Sequence, residues 1–291
     1  MADVELVGPT SHIFVSQRQR LHYVDWGNPD APLLVLVHGG RDQCRSWDWV
    51  ARALRHDWHV VAPDLRGHGD SAWSTDGNYG ATAHLADLSQ LLHQLTPGPV
   101  TLIAHSLGAA VALRYAGLFP EKVRKLVSIE GSGTIPPAFA VRAARPFEVK
   151  WREWIEERRQ ASARSPRRYA TLEDAIVRMR EANASLSEEQ IRHLTIHAVS
   201  RNEDGSFSWK FDPYVRLGPP LDIAEADRKA LWGRITCPVL LAWGRRSWGT
   251  DPAGDGTTAL FQDARTVAFD AGHWPHHDQF DAFVAAVRAF L

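Results

Sequence analysis

Near-continuous apolar runs of strand length recur along the chain: "LLVLVHGG" (33–40), "HVVAPDL" (59–65), "VTLIAH" (100–105), "VRKLVSIEG" (123–131), "CPVLLAWG" (237–244) and "RTVAFD" (265–270). Runs of this kind read as strands buried on both faces. Between them, "WDWVARALR" (47–55), "ATAHLADLSQLLHQL" (81–95), "SLGAAVALRYAGLF" (106–119) and the C-terminal stretch 279–291 space their apolar residues as helices do, with a further helix near 257–262. "HIFVSQRQRLHYVDWG" (12–27) reads as an antiparallel pair that turns near Gln17–Arg20. The alternation predicts an α/β fold with a mostly parallel central sheet and helices on both faces.

The alternation breaks between Ser132 and Trp232, where helical spacing continues without buried strands. "PFEVKWREWIEERR" puts Phe147, Trp151, Trp154 and Ile155 on one helical face. Thr171 with Asp174, and Ser187 with Gln190, mark helix starts, the second a capping box. "NEDGSFSWKFD" (202–212) predicts a small hairpin turned at Asp204–Gly205. The expected organisation is an α/β core made of residues 1–131 and 233–291, interrupted by a mainly helical insertion at 132–232. No internal repeat or low-complexity tract is visible.

Composition narrows the function classes. The 291 residues are 44% hydrophobic and 23% charged, ordinary for a globular protein. Lys and Arg number 33 against 34 Asp and Glu, so nothing favours nucleic acid or an anionic membrane as a partner. Cys44 and Cys237 are far apart and form no metal or redox motif, which suits reduced thiols in a cytosolic protein. "MADVELVGPT" lacks the basic start and apolar core of a signal peptide, and no run approaches the ~18 apolar residues of a membrane span. The expectation is a cytoplasmic protein acting on a small molecule, and a homo-oligomer is compatible with it.

The most specific stretch is "LIAHSLGAA" (102–110). A strand ends at His105, the chain turns at Ser106, and a helix begins at once. The hydroxyl then faces the free N–H groups and the positive end of that helix. This is the plan of the nucleophile elbow, G-x-S-x-G, with Ala104 in place of the first glycine. With "VHGG" (37–40), "DLRGHGDS" (64–71) and "AGHW" (271–274) in the same order and at similar spacing, nearly the whole chain resembles the α/β-hydrolase fold family, in its subgroup with a helical cap.

The resemblance implies a serine hydrolase. Ser106 would be the nucleophile and His273 the base, in the family's chain order. The oxyanion of a tetrahedral intermediate would meet the backbone N–H groups of Leu107 and Gly40, and losing one such donor typically costs ~10²–10³ in rate. Arg41 follows Gly40 and could hold a substrate carboxylate, but a solvated surface arginine is the simpler reading. His276, His277 and Asp278 crowd around His273, but Pro275 interrupts their spacing and no familiar metal-ligand pattern results. No metal and no organic cofactor is implied. His105 is expected to point away from the nucleophile, and His38 and His68 to brace loops.

The acid is the irregular member. The family usually supplies Asp after the strand matched here by "LLAWGRRS", where the expected position is Ser247. A hydroxyl cannot stabilise imidazolium by charge. Two carboxylates remain. Glu130 closes the strand beside the one ending at Ser106, a placement some family members use, with Gly131 leaving room for the turn. Asp251 lies four residues beyond Ser247, up to ~13 Å if extended, and would have to fold back. Glu130 is the first candidate and Asp251 the alternative.

A serine nucleophile excludes the aspartate-based halide and epoxide chemistry of this fold, which needs an alkyl–carboxylate intermediate. The expected reaction is hydrolysis of an apolar carboxylic ester through an acyl-enzyme. A lactonase or a carbon–carbon bond hydrolase with the same triad, a lyase using the base alone, and a slow-turnover receptor-like binding protein are the alternatives. Trp151 and Trp154 on the cap, and Trp248 beside the acid loop, are candidates for lining the pocket. The arginines of 141–168 read as a solvated helix face or as a match for a negatively charged substrate.

Overall fold

The computed structural model describes residues 8–131, 144–162, 165–218 and 222–291. The N-terminal residues 1–7 and the entrance of the insertion, 132–143, lie outside them.

The chain opens with the hairpin β1 (Thr10–Ser16) and β2 (Gln19–Asp25). Its two loop residues, Gln17 and Arg18, both adopt positive φ (46° and 65°), the backbone form whose twist matches the flanking strands. Then follow β3 (Leu33–Val37), α1 (Asp48–Leu54), β4 (His59–Pro63), α2 (Ala81–Leu95), β5 (Val100–His105), α3 (Leu107–Leu118) and β6 (Val123–Ile129). After β6 come α4 (Phe147–Ser162), α5 (Leu172–Ala182), α6 (Glu188–Ala198), the hairpin β7 (Val199–Arg201)–β8 (Phe207–Trp209) and α7 (Glu225–Trp232). The chain ends with β9 (Val239–Gly244), β10 (Ala264–Phe269), α8 (Pro275–Asp278) and α9 (Phe280–Phe290).

Eight strands form one sheet in the order β1-β2-β4-β3-β5-β6-β9-β10, antiparallel over β1-β2-β4 and parallel from β4 to β10. Alternate residues of each central strand enter opposite core clusters. Val35, Val37, Leu102, Ala104 and Leu126 pack with α3 on one face, and Leu34, Leu36, Ile103, Val127 and Ile129 pack with α1 and α9 on the other. Each such side chain contributes roughly 1.5–3 kcal/mol by burial, which explains why these strands read as unbroken apolar runs.

Both expected helix starts after β6 are full capping boxes, Thr171 with Asp174 and Ser187 with Gln190. The β7–β8 turn carries Gly205 at φ 86°. At the end of the expected insertion, α7 packs on α3: Trp232 is buried in the core cluster with α3, and a Cβ at Gly117 of α3 would lie 2.6 Å from Leu231. One sequence-based element shifts. Near 257–262 only a 3₁₀ turn forms, Thr258–Leu260, because Phe261 turns extended and buries its ring in the core.

Candidate active site

The parallel strands end in register. Ile129 pairs with His105 on one side and Ala242 on the other, and β9 runs beside β10 to Gly244 and Phe269. The next residues along β5 and β6 are Ser106 and Glu130, while His273 follows β10 after a three-residue turn. Sequence-distant groups are thereby gathered at the carboxyl edge of one sheet.

Ser106 has φ 50° and ψ −113°, a left-handed strain that a side chain adopts only where the surroundings impose it. They do so here. Its N–H donates to the Ile129 carbonyl at 2.8 Å, and α3 begins at the next residue. The helix can start this close to β3 because residue 108 is glycine. A Cβ there would sit 2.4 Å from the His38 carbonyl oxygen and 2.6 Å from that of Val37. Gly40 and Leu107 both line the cavity that contains Ser106, and the Leu107 side chain lies 3.9 Å from where a Gly40 Cβ would stand. As first residue of α3, Leu107 has an N–H with no intrahelical acceptor. His38 braces the glycine loop, with Nδ1 2.6 Å from the Gly39 carbonyl and Nε2 accepting the Leu65 N–H at 2.9 Å.

Glu130 also has positive φ, 54°. Its side chain is 2% exposed and fully engaged. Oε1 accepts the Gly244 N–H at 2.7 Å, Oε2 accepts the Ser247 hydroxyl at 2.7 Å, and Oε2 lies 3.4 Å from His273 Nδ1. Ser247 thus occupies the position where an aspartate was expected and holds the glutamate that stands in the aspartate's direction. Asp251 is exposed in its own turn, where Oδ1 accepts the Ala253 N–H at 3.0 Å. The loop does not fold back.

His273 is held from behind by His105, whose Nε2 lies 2.8 Å from the His273 carbonyl. Burial pushes the His105 pKa well below its ordinary value and the neighbouring His273 adds to the shift, so His105 is neutral and donates from Nε2. His105, next to Ser106 in sequence, is therefore the residue that fixes the loop of the candidate base. The Trp248 ring stands 4.9 Å from the His273 ring. His276 is buried and stacked on Trp47 at 4.6 Å, and Asp278 Oδ2 accepts the Gly272 N–H. These packing and turn contacts account for the histidine crowding. Among the described residues, the groups whose atoms lie close enough to share an ion are elsewhere, His22–Cys44–Asp64 and Asp48–His193–His197.

The cavity over Ser106 has a volume of about 760 Å³. Trp232, Trp243, Trp248 and Trp274 give it an aromatic lining, and Arg41, expected as a candidate, is on its wall. Trp151 and Trp154 are not. Trp151 borders a separate depression with Phe147 and Ile155, and Trp154 carries the Arg158 guanidinium over its ring at 4.9 Å. A helical stripe identifies a shared face but not the surface it meets, and α4 buries no residue. Sequence reasoning also missed Arg114 and Arg228, both on the cavity wall. The available signal was that Arg114 is the single charge in the otherwise apolar α3.

The sequence profile of the α/β hydrolase fold family matches residues 32–280, and the chain belongs to that family. The chain is 26% identical to the esterase Rv0045c of Mycobacterium tuberculosis, over 98% of this chain and 90% of that protein. It is 30% identical to the 3-hydroxybutyrate-oligomer hydrolase of Cupriavidus necator, over 78% and 77%. The thioesterase domain from the curacin biosynthetic pathway superposes with a TM-score of 0.81 over 97% of this chain and 99% of that one, at 24% identity. The chain is a hydrolase of this fold. No helix among the described residues is long and apolar enough to cross a membrane.

Proposed function

We propose that the protein hydrolyses carboxylic esters through an acyl-enzyme formed on Ser106. The observation that carries this reading is the convergence on one cavity of a strained elbow serine, a histidine and a buried glutamate 3.4 Å from that histidine. Two relatives, an esterase and a 3-hydroxybutyrate-oligomer hydrolase, favour the same bond type.

In this mechanism Nδ1–H of His273 points to Glu130, which leaves Nε2 to take the Ser106 proton as Oγ attacks the ester carbonyl. The oxyanion is met by the N–H groups of Gly40 and Leu107. His273 passes its proton to the departing alcohol, and the C–O bond breaks. Water then attacks the acyl-enzyme with His273 as base, releasing the acid and restoring Ser106. Glu130 stays ionised and stabilises the imidazolium. Its bonds to Gly244 and Ser247 keep it fixed, as preorganisation requires. In this reading the insertion, 132–232, is the cap of the fold. No metal or cofactor enters the scheme.

The test combines a fluorophosphonate probe with hydrolysis of p-nitrophenyl esters. The expected outcome is one covalent adduct on Ser106 by peptide mass, with adduct and turnover both lost in Ser106→Ala. Labelling without steady-state release points instead to a receptor-like binder, and turnover that survives Ser106→Ala removes the acyl-enzyme altogether.

A further inference from the structure

The cavity wall carries three guanidiniums, Arg41, Arg114 and Arg228, and one carboxylate, Glu130. Glu130 is engaged by His273, Ser247 and Gly244. The remaining charge on the wall is positive, inside a recess otherwise rich in tryptophan.

Two of the arginines form one end of it. Ser106, Ala110 and Arg114 are spaced four residues apart and share one face of α3, so Arg114 stands about 12 Å along the helix axis from the nucleophile at the usual rise of 1.5 Å per residue. Arg228 and Trp232, likewise four apart on α7, line the cavity too. Arg114 is buried at 9% exposure in an apolar helix, where a charge needs partners. Nη1 donates to the Ala110 carbonyl at 3.0 Å and Nη2 to Asp222 Oδ2 at 2.7 Å, but Nε is buried with no partner. Half-buried Arg228 has no hydrogen-bond or ion-pair partner for its guanidinium among the described residues, because Glu225, one turn away, is bonded to Lys229 at 2.8 Å. Among the described residues, Asp222, half exposed, stands against Arg114, and the exposed Glu225, already bonded to Lys229, is the carboxylate that acts on Arg228. Burial pushes the Arg114 pKa below its ordinary value, Asp222 opposes this, and the nearby Arg228 charge adds to the fall. A guanidinium nevertheless stays cationic at neutral pH.

We propose that Arg114 and Arg228 bind a carboxylate at the far end of the substrate, so that the cavity selects esters whose acyl chain ends in an anion. An apolar chain would lie between the tryptophans, with its ester at Ser106 and its terminal carboxylate at the vacant N–H donors of the two arginines. Such charge-assisted bonds are strong and directional because guanidinium and carboxylate match in geometry. This inference rests on the ester-hydrolase reading for the position of the reacting carbonyl.

The experiment compares p-nitrophenyl hexanoate with the mono-p-nitrophenyl ester of adipic acid, equal in acyl length and different only in the terminal carboxylate. The expected result is a kcat/KM about tenfold or more higher for the adipate ester, carried by KM and weakened by salt. In Arg228→Gln the ratio of the two substrates falls by about tenfold, Arg228→Lys recovers part of it, and Arg228→Glu lowers it further. Equal rates for the two esters, with a ratio unmoved by Arg228→Gln, overturn the proposal. Calorimetric binding of adipate and hexanoate to Ser106→Ala gives a readout that needs no turnover. Adipate binding that depends on Arg228, with neither ester cleaved, sinks the ester reading and keeps the anion site. Cleavage of both esters with no preference, and no adipate binding, does the reverse. Absence of both cleavage and adipate binding overturns both.

Discussion

Two of the side-chain clusters among the described residues bear comparison, because each brings together a hydroxyl or thiol, a histidine and a carboxylate. Ser106, His273 and Glu130 form one, and Cys44, His22 and Asp64 form the other. Bond length alone would favour the thiol cluster, with His22 Nδ1 2.7 Å from Asp64 against 3.4 Å for His273 and Glu130. Everything else separates them. Cys44, His22 and Asp64 are all buried beneath the β4 loop. Asp64 also accepts the N–H groups of Cys44 at 2.7 Å and Asp70 at 2.9 Å, so it ties three chain segments together. Burial pushes the Asp64 pKa up, but the bond from His22 and the Cys44 N–H more than offset this and leave it below its ordinary value. Burial and the Asp64 charge drive the Cys44 thiol well above its usual range. The sealed cluster is a strut. The other opens onto a cavity, and its serine stands in a strained turn at a helix start. Access and backbone aim make the difference, because both clusters hold the same kinds of group.

The sharpest way to break this contrast is to exchange the roles. Ser106→Ala is expected to lower kcat for p-nitrophenyl esters by at least about 10⁴-fold, whereas Cys44→Ala leaves kcat within about twofold and lowers only the melting temperature. Equal losses of kcat in both variants would erase the distinction. Next in size is the acid. Glu130→Gln is expected to lower kcat by roughly 10²–10⁴-fold, and Asp251→Asn by no more than about twofold, in the same steady-state assay.

Acid should then act on the closed parts of the molecule. Burial lowers the pKa of His68 to about 3 and of His277 to about 4, with nearby positive charges helping in each case. The unfolded chain takes up these protons near pH 6.5, and the folded chain does not. Stability is therefore undiminished above pH 6.5 and falls as pH drops towards 4, by roughly 5 kcal/mol for the two together at pH 4.5. Urea unfolding midpoints at a series of pH values test the sign, and His277→Gln should flatten the slope. Last comes the strut itself. Asp64→Asn leaves His22 with a weaker partner and is expected to cost about 3–5 kcal/mol of unfolding free energy, while Glu130→Gln, at the rim of the cavity, costs less than Asp64→Asn.

Much of this was legible in the sequence for a physical reason. Parallel strands buried on both faces must be apolar throughout, so β3, β4, β5, β6 and β9 stand out by composition alone. A strand that stops at a lone serine before small residues permits few backbone solutions, which is why the stretch at 104–108 identifies the turn. The choice between Glu130 and Asp251 was harder, because it depends on how far a loop returns. The structure puts Glu130 beside His273 and leaves Asp251 exposed. What the sequence conceals is direction. Trp151 and Trp154 lie on a recognisable stripe, yet nothing in its period tells which surface the stripe meets. The bond from His105 to the His273 carbonyl spans 168 positions and joins a side chain to a backbone atom, so no local pattern records it. Arg114 was visible as a charge among apolar neighbours, but its counterpart Arg228 belongs to another helix and becomes meaningful only once α7 lies against α3.

The strand order has a temporal consequence. Glu130 and His273 are 143 positions apart, and His273 follows the last strand, which joins the sheet at its edge beside β9. A chain synthesised from its N-terminus can complete the elbow and the glycine loop long before the candidate base is made. Under the proposed mechanism the fold is an unarmed scaffold until β10 docks, and the return of activity on refolding would report the arrival of that strand.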